Sequence, residues 1–118
     1  MGVANKALTI VAVAALLDAH EAFAQATPQG DAKRGAEKVA MCQGCHGIEG
    51  WRTAFPEVYH VPRIAGQHPT YLVNALRAYQ SGERNHASMR GIAATLSEQD
   101  MADLAAYYGQ PASQTAAK

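Results

Sequence analysis

Apolar residues recur with a helical period in three separated stretches of the chain. In the first, from about Asp31 to Met41, Ala32, Gly35, Ala36 and Val39 share one face, and Asp31 stands where an N-cap belongs. In the second, Pro69 takes the first helical position, Tyr71, Leu72, Ala75, Leu76 and Tyr79 form a stripe, and Ser81-Gly82 closes the segment. In the third, Ser97 and Asp100 form a variant of the capping box, and Met101, Leu104, Ala105 and Tyr108 supply the apolar face. Gly109 followed by Pro111 stops it. No alternating run is long enough for a strand, and no segment repeats. The pattern therefore predicts an all-α domain with three main helices. Gly35 costs its helix about 1 kcal/mol against alanine. Close approach of another helix would explain it, and a tolerated surface glycine is the alternative.

The chain ends read differently. Lys6 precedes an apolar and small-residue run of 11 residues from Ala7 to Leu17, followed by polar Asp18, His20 and Glu21 and then Ala22-Phe23-Ala24 and Ala24-Gln25-Ala26. Charge, apolar core and small residues in that order predict an export signal over residues 1–24, cut after Ala24 or after Ala26. The apolar run is shorter than the roughly 20 residues that span a bilayer. Removing the first 24 of 118 residues leaves 94, enough for one small domain over 25–109, with a small, polar tail over 110–118 expected to be disordered. After cleavage 9 basic residues face 8 acidic ones, and the basic residues are spread singly. That distribution argues against nucleic acid as a partner.

Residues 42–46 read Cys-Gln-Gly-Cys-His and contain both cysteines of the chain. Two intervening residues put the thiols on one turn, where they can bond the two vinyl groups at a porphyrin edge, and the following His46 is aimed at the metal. The spacing is that of a c-type haem attachment site. A zinc site would want four ligands, yet His20, His60, His68 and His86 are scattered. A thioredoxin-like dithiol, the main alternative, would want a preceding buried strand, and a structural disulfide is a further one. Export agrees with haem attachment, which takes place outside the bacterial cytoplasmic membrane.

Further landmarks follow in order: Pro62-Arg63-Ile64-Ala65-Gly66-Gln67, Tyr71-Leu72, Ser81-Gly82-Glu83-Arg84-Asn85, Met89, Leu96-Ser97 and Leu104-Ala105-Ala106-Tyr107. From Gly30-Asp31 to Tyr108 the chain resembles a class I cytochrome c, of the monohaem c553 type or a single domain of diheme cytochrome c4. The resemblance implies one covalently bound haem in a crevice, with the first and last helices crossing and Tyr107 or Tyr108 approaching Gly35.

It also implies that iron is held by His46 and by Met89. Met89 is expected in an irregular segment between the second and third helices, with His86 as the alternative ligand. Met41 adjoins Cys42 and cannot reach the other face, and Met101 belongs to a core stripe. The family often carries proline shortly before its methionine, where this chain has Ala87-Ser88. The acceptor for the second nitrogen of His46 is, by resemblance, the carbonyl of Pro62. Gln67, Arg63 and Arg84 are candidates near the haem propionates, or solvated surface groups. Tyr71 and Tyr79 are expected to face the core. Trp51, Phe55 and Tyr59 are expected to wall the crevice, with an exposed docking patch as the other reading. The function implied is a periplasmic single-electron carrier, monomeric and docking transiently with other redox proteins. The alternatives are a haem subunit of an oxidoreductase complex and, more remotely, a thiol–disulfide redox protein.

Overall fold

The computed structural model describes residues 27–54 and 58–111. The expected export segment, Phe55 and the tail beyond Pro111 lie outside the described residues. The elements in order are α1 (Ala32–Lys38), α2 (Ala40–His46), β1 (Arg52–Thr53), β2 (Tyr59–His60), α3 (Pro69–Ser81), α4 (Ala87–Ala94) and α5 (Glu98–Tyr108).

The three expected helices form, each with the cap its sequence specifies. Asp31 accepts from the amides of Lys33 and Arg34. Ser97 and Asp100 complete a reciprocal capping box. Pro69 opens α3, and Gly82 closes it at φ +84°, in the left-handed region that a side chain disfavours.

Two short helices were not expected. Val39 ends α1 with right-handed dihedrals (φ −70°, ψ −14°), so the chain bends and resumes as α2 instead of leaving the helix. The glycine-containing Cys-Gln-Gly-Cys-His run has too little helix propensity to announce this. α4 replaces the irregular segment expected around Met89. Its apolar positions, Met89, Ile92 and Ala93, make barely one turn of pattern, and its cap is a histidine instead of a common capping residue. A two-residue antiparallel ladder pairs Arg52 with His60 and Thr53 with Tyr59. A pair that short carries no detectable alternation.

The most extensive helix pairing is α1 with α5, and α3 packs on both α4 and α5. A Cβ on Gly35 would sit 2.2 Å from the carbonyl oxygen of Asp103 and 2.8 Å from the Tyr107 Cβ. Gly35 is thus the contact point of the two helices, and the surface-glycine alternative is set aside. Beside it lies Asp103, fully buried. Its carboxylate accepts from the Asp31 amide (2.9 Å), Arg34 Nε and Nη2 (both 2.9 Å), Lys38 Nζ (3.1 Å) and Gln99 Nε2 (2.9 Å). A buried charge is tolerable when it is paired and hydrogen-bonded in this way. The apolar core beside it is built from Val39, Leu72, Val73, Leu96, Met101, Leu104, Ala105, Tyr107 and Tyr108.

Gly35→Ala is expected to cost at least about 2 kcal/mol, because the new methyl meets backbone that cannot yield without separating the helices. Chemical denaturation of the variant checks this, and a loss near zero would refute the close approach. A second expectation concerns acid. The Arg34 guanidinium above all holds the Asp103 carboxyl far below its ordinary value, and the Lys38 ammonium lowers Asp100 to about 2. Both carboxylates therefore stabilise the fold above pH 3.8, the ordinary carboxylate value, and the gain is lost as pH falls toward 2. Denaturation midpoints should drop between about pH 5 and pH 2. Asp103→Asn should flatten that slope, and an unchanged slope would exclude Asp103 as its source.

Candidate functional site

The bend at Val39 carries α2 away from the core, and Cys42, Cys45 and His46 all line one cleft. Cys42 is half-buried against the core and Cys45 is exposed. No disulfide joins them. Burial above all pushes the Cys42 thiol up from its ordinary value. A redox dithiol needs a thiol pulled the other way, so this environment opposes that alternative.

His46 is oriented by the segment that crosses beneath it. Its Nδ1 lies 2.6 Å from the carbonyl oxygen of Pro62. A carbonyl can only accept, so Nδ1 carries the proton and Nε2 is left with a free lone pair. The same segment is pinned farther on, where the Gly66 amide donates to the carbonyl of Tyr108 at 2.7 Å. One strap therefore fixes both the imidazole and the end of α5.

The cleft measures about 510 Å³. Leu72, Leu76 and Tyr79 of α3 wall one side, Met89 and Ile92 of α4 another, and Leu104 and Tyr108 of α5 the floor. Met89 is half-buried in the first turn of α4. The cap of that helix is His86, whose Nδ1 accepts from the Met89 amide at 3.5 Å. The His86 ring stands edge-on to Tyr59 of β2, with centroids 5.2 Å apart. Thus Met89 is presented by a capped helix held against the small sheet, not by a loose loop.

The other expected groups divide. Gln67, Arg63, Arg84 and His60 line the cleft. The Gln67 Oε1 accepts from the His68 amide at 2.9 Å, and Arg63 pairs with Glu49 at 3.4 Å. Arg84 donates to the Tyr71 hydroxyl at 3.1 Å and lies 5.6 Å and 5.5 Å from the Tyr71 and Tyr79 ring centres. Tyr71 is therefore not core-facing as expected. It is 48% exposed, because its ring and hydroxyl serve the guanidinium at the cleft mouth. Trp51 does not wall the cleft either, standing 42% exposed beside it. Tyr59 does line it while remaining exposed. Met101 is fully buried in the core, as its stripe position required.

Among the described residues no aspartate or glutamate lines the cleft, whereas Arg63 and Arg84 do. Apolar walls, two thiols at one edge, an imidazole with a free nitrogen and cations at the mouth suit a flat apolar macrocycle bearing carboxylates. Over residues 32–109 the sequence matches the family model for cytochrome c. The chain belongs to the cytochrome c family. It is 43% identical over 82 residues to cytochrome c-554(548) of Halomonas halodenitrificans, covering 67% of this chain and 94% of that protein. Among solved structures it is similar to reduced recombinant cytochrome c4 from Pseudomonas stutzeri, with TM-score 0.55 and 35% identity over 70% of this chain and 46% of the other. It is also 38% identical over 73 residues to the thiosulfate dehydrogenase electron acceptor of Thiomonas intermedia, covering 62% of this chain and 32% of that protein. The chain therefore spans nearly all of the first relative but less than half of the other two.

This cytochrome is an electron-transfer protein whose cofactor is a covalently attached haem c, and Cys42 and Cys45 have the spacing that such attachment uses. Sequence reasoning overlooked two groups. Asp103 sits inside an apolar face and gave no sign of its four side-chain and backbone partners. Tyr108 was read as helix packing alone, although its spacing from Leu104 puts both on the cleft floor.

Cys45→Ala is expected to lose one of the two covalent bonds and to reduce the yield of coloured protein severalfold. Denaturing gels stained for haem, with intact mass, check this. Full yield with two retained bonds would exclude Cys45 as an attachment point.

Proposed function

We propose that this cytochrome is an exported, periplasmic single-electron carrier whose iron is held between His46 and Met89. The observation that carries the reading is the convergence of Cys42, Cys45, His46 and Met89 on one apolar cleft, with His46 oriented by Pro62. The bound haem supplies a one-electron ferric–ferrous couple. The Pro62 carbonyl keeps Nε2 of His46 available and fixes the ring plane. The Met89 thioether, a soft donor, favours the ferrous state more than a second imidazole would. With His46 and Met89 both engaged on the iron, these side chains would leave no place for oxygen or peroxide, and the chain would need to move little during electron transfer. Gln67 lies at the cleft wall with its carbonyl engaged by the chain and its amide available to a propionate. Arg63 and Arg84 complement propionate charge at the mouth.

Export rests on the order of charge, apolar run and small residues before Gln25. Among the described residues no helix is long and apolar enough to cross a membrane. The working partners are other periplasmic redox proteins, met in small, transient contacts by a monomer. The likeness to an electron acceptor of thiosulfate dehydrogenase favours a second form of the reading, in which a dehydrogenase supplies the electrons and retains the cytochrome as a subunit.

In the exported protein Met89→Ala should leave the haem covalently attached but open the iron to added imidazole or cyanide, with loss of the ferric charge-transfer band at the red edge. Absorption titration measures both, and unchanged ligand reactivity would remove Met89 from the role. The same wild-type preparation should begin at Gln25 or Thr27, and an intact Met1 would overturn the export reading.

A further inference from the structure

Tyr108 closes α5 with its ring edge-on to Tyr107, at a centroid distance of 5.0 Å. It is 8% exposed, and its hydroxyl is buried without a hydrogen-bond partner. That is the only such side-chain atom among the described residues. An orphaned buried hydroxyl is costly, and native folds rarely leave one so. The position is nevertheless not adventitious. The backbone of Tyr108 is fixed by the Gly66 amide, the ring is wedged in the core cluster, and the side chain lines the haem cleft together with Cys42. The hydroxyl and the Cys42 sulfur are near enough to affect one another's proton affinity, in the sense of the hydroxyl donating to the sulfur, but the pair falls short of full hydrogen-bond geometry.

We propose that Tyr108 is a positioning residue for the cofactor, its hydroxyl donating to the Cys42 thioether sulfur at the haem edge and so giving the buried group its missing partner. Nothing else in the cleft explains a phenol at this place. A phenylalanine would satisfy the packing, whereas Tyr108 adds one polar atom beside the sulfur that joins chain to macrocycle. A thioether sulfur is a weak acceptor, but a weak bond suffices where the alternative is none. The positive end of the O–H dipole then points toward the haem edge in a medium of low polarity, where such dipoles act strongly. It stabilises the more negative, ferrous state, so the bond raises the reduction potential. The inference rests on the haem-carrier reading of this cleft.

Two measurements on the holoprotein test it. In the diamagnetic ferrous state, proton NMR should show one slowly exchanging tyrosine hydroxyl with an Overhauser contact to the Cys42 β-protons. Tyr108→Phe should abolish that resonance and lower the reduction potential while leaving both covalent bonds and the haem mass in place. A rapidly exchanging hydroxyl without that contact, or a variant potential equal to wild type, overturns the proposal while the haem reading stands. Purified protein that weighs only as much as its polypeptide overturns the haem reading itself, and the two failures are told apart by mass alone. The NMR measurement needs no variant, so it decides the matter even where Tyr108→Phe accumulates poorly.

Discussion

The approach of α1 to α5 at Gly35 governs where every cofactor-facing group of this cytochrome lies. The two helices meet backbone to backbone, with the Asp103 carbonyl occupying the space a side chain at position 35 would need. Dispersion contacts at that distance are numerous but non-directional, and they would allow the helices to slide. Asp103 removes that freedom. Its two oxygens bind the Asp31 amide, the Nε–Nη2 edge of the Arg34 guanidinium and the Lys38 ammonium, all on the α1 side, and Gln99 on its own helix. A buried ion pair adds little net stability when balanced against its desolvation. It does impose a register, because any slip of one turn would leave a carboxylate or guanidinium buried without its partner.

From that register the cleft follows. α1 continues through Val39 into α2, so its placement sets the two thiols and His46, while α5 delivers Leu104 and Tyr108 to the cleft floor. The strap from Pro62 to Gln67 joins the two sides. Its Pro62 carbonyl accepts a hydrogen bond from His46 Nδ1 and its Gly66 amide holds the end of α5. Gly66 has φ +80°, which lets the strap turn between these two attachments. A change in the strap would thus be felt at the imidazole and at Tyr108 together.

The sequence was legible where a single local rule decides structure. Asp31, Ser97 with Asp100, Pro69 and Gly82 each mark a helix end by a mechanism confined to a few neighbouring residues, and a helix begins or ends at each of them. Gly35 was legible because a glycine inside an apolar stripe needs a reason. The Cys-Gln-Gly-Cys-His run pointed to its cofactor through its spacing and adjacent histidine, together with the export signal. Legibility failed where the deciding contact is distant in sequence. α4 depends on His86 being held by Tyr59, nearly thirty residues earlier, and the outward turn of Tyr71 depends on Arg84. Asp103 lies in a run that reads as apolar, and its partners sit some seventy residues away. No pattern within one helix contains that information.

The thin core gives these placements their energetic sense. A domain of this size buries too little apolar surface to be robust by itself. Here a cleft of about 510 Å³ is lined by the half-buried Leu76 and Ile92 and by the edges of the core residues Leu72, Leu96 and Leu104. At roughly 25 cal/mol per Å² of apolar surface covered, a flat ring filling that space contributes on the scale of the whole net stability of a small domain. The cofactor is therefore a structural member as well as a redox centre. That dual role fits covalent attachment, since a ring that can dissociate would take part of the core with it. It also explains why polar atoms facing the cleft are few and individually placed: His46 on Pro62, Arg84 between two tyrosines, and the lone hydroxyl of Tyr108 beside Cys42.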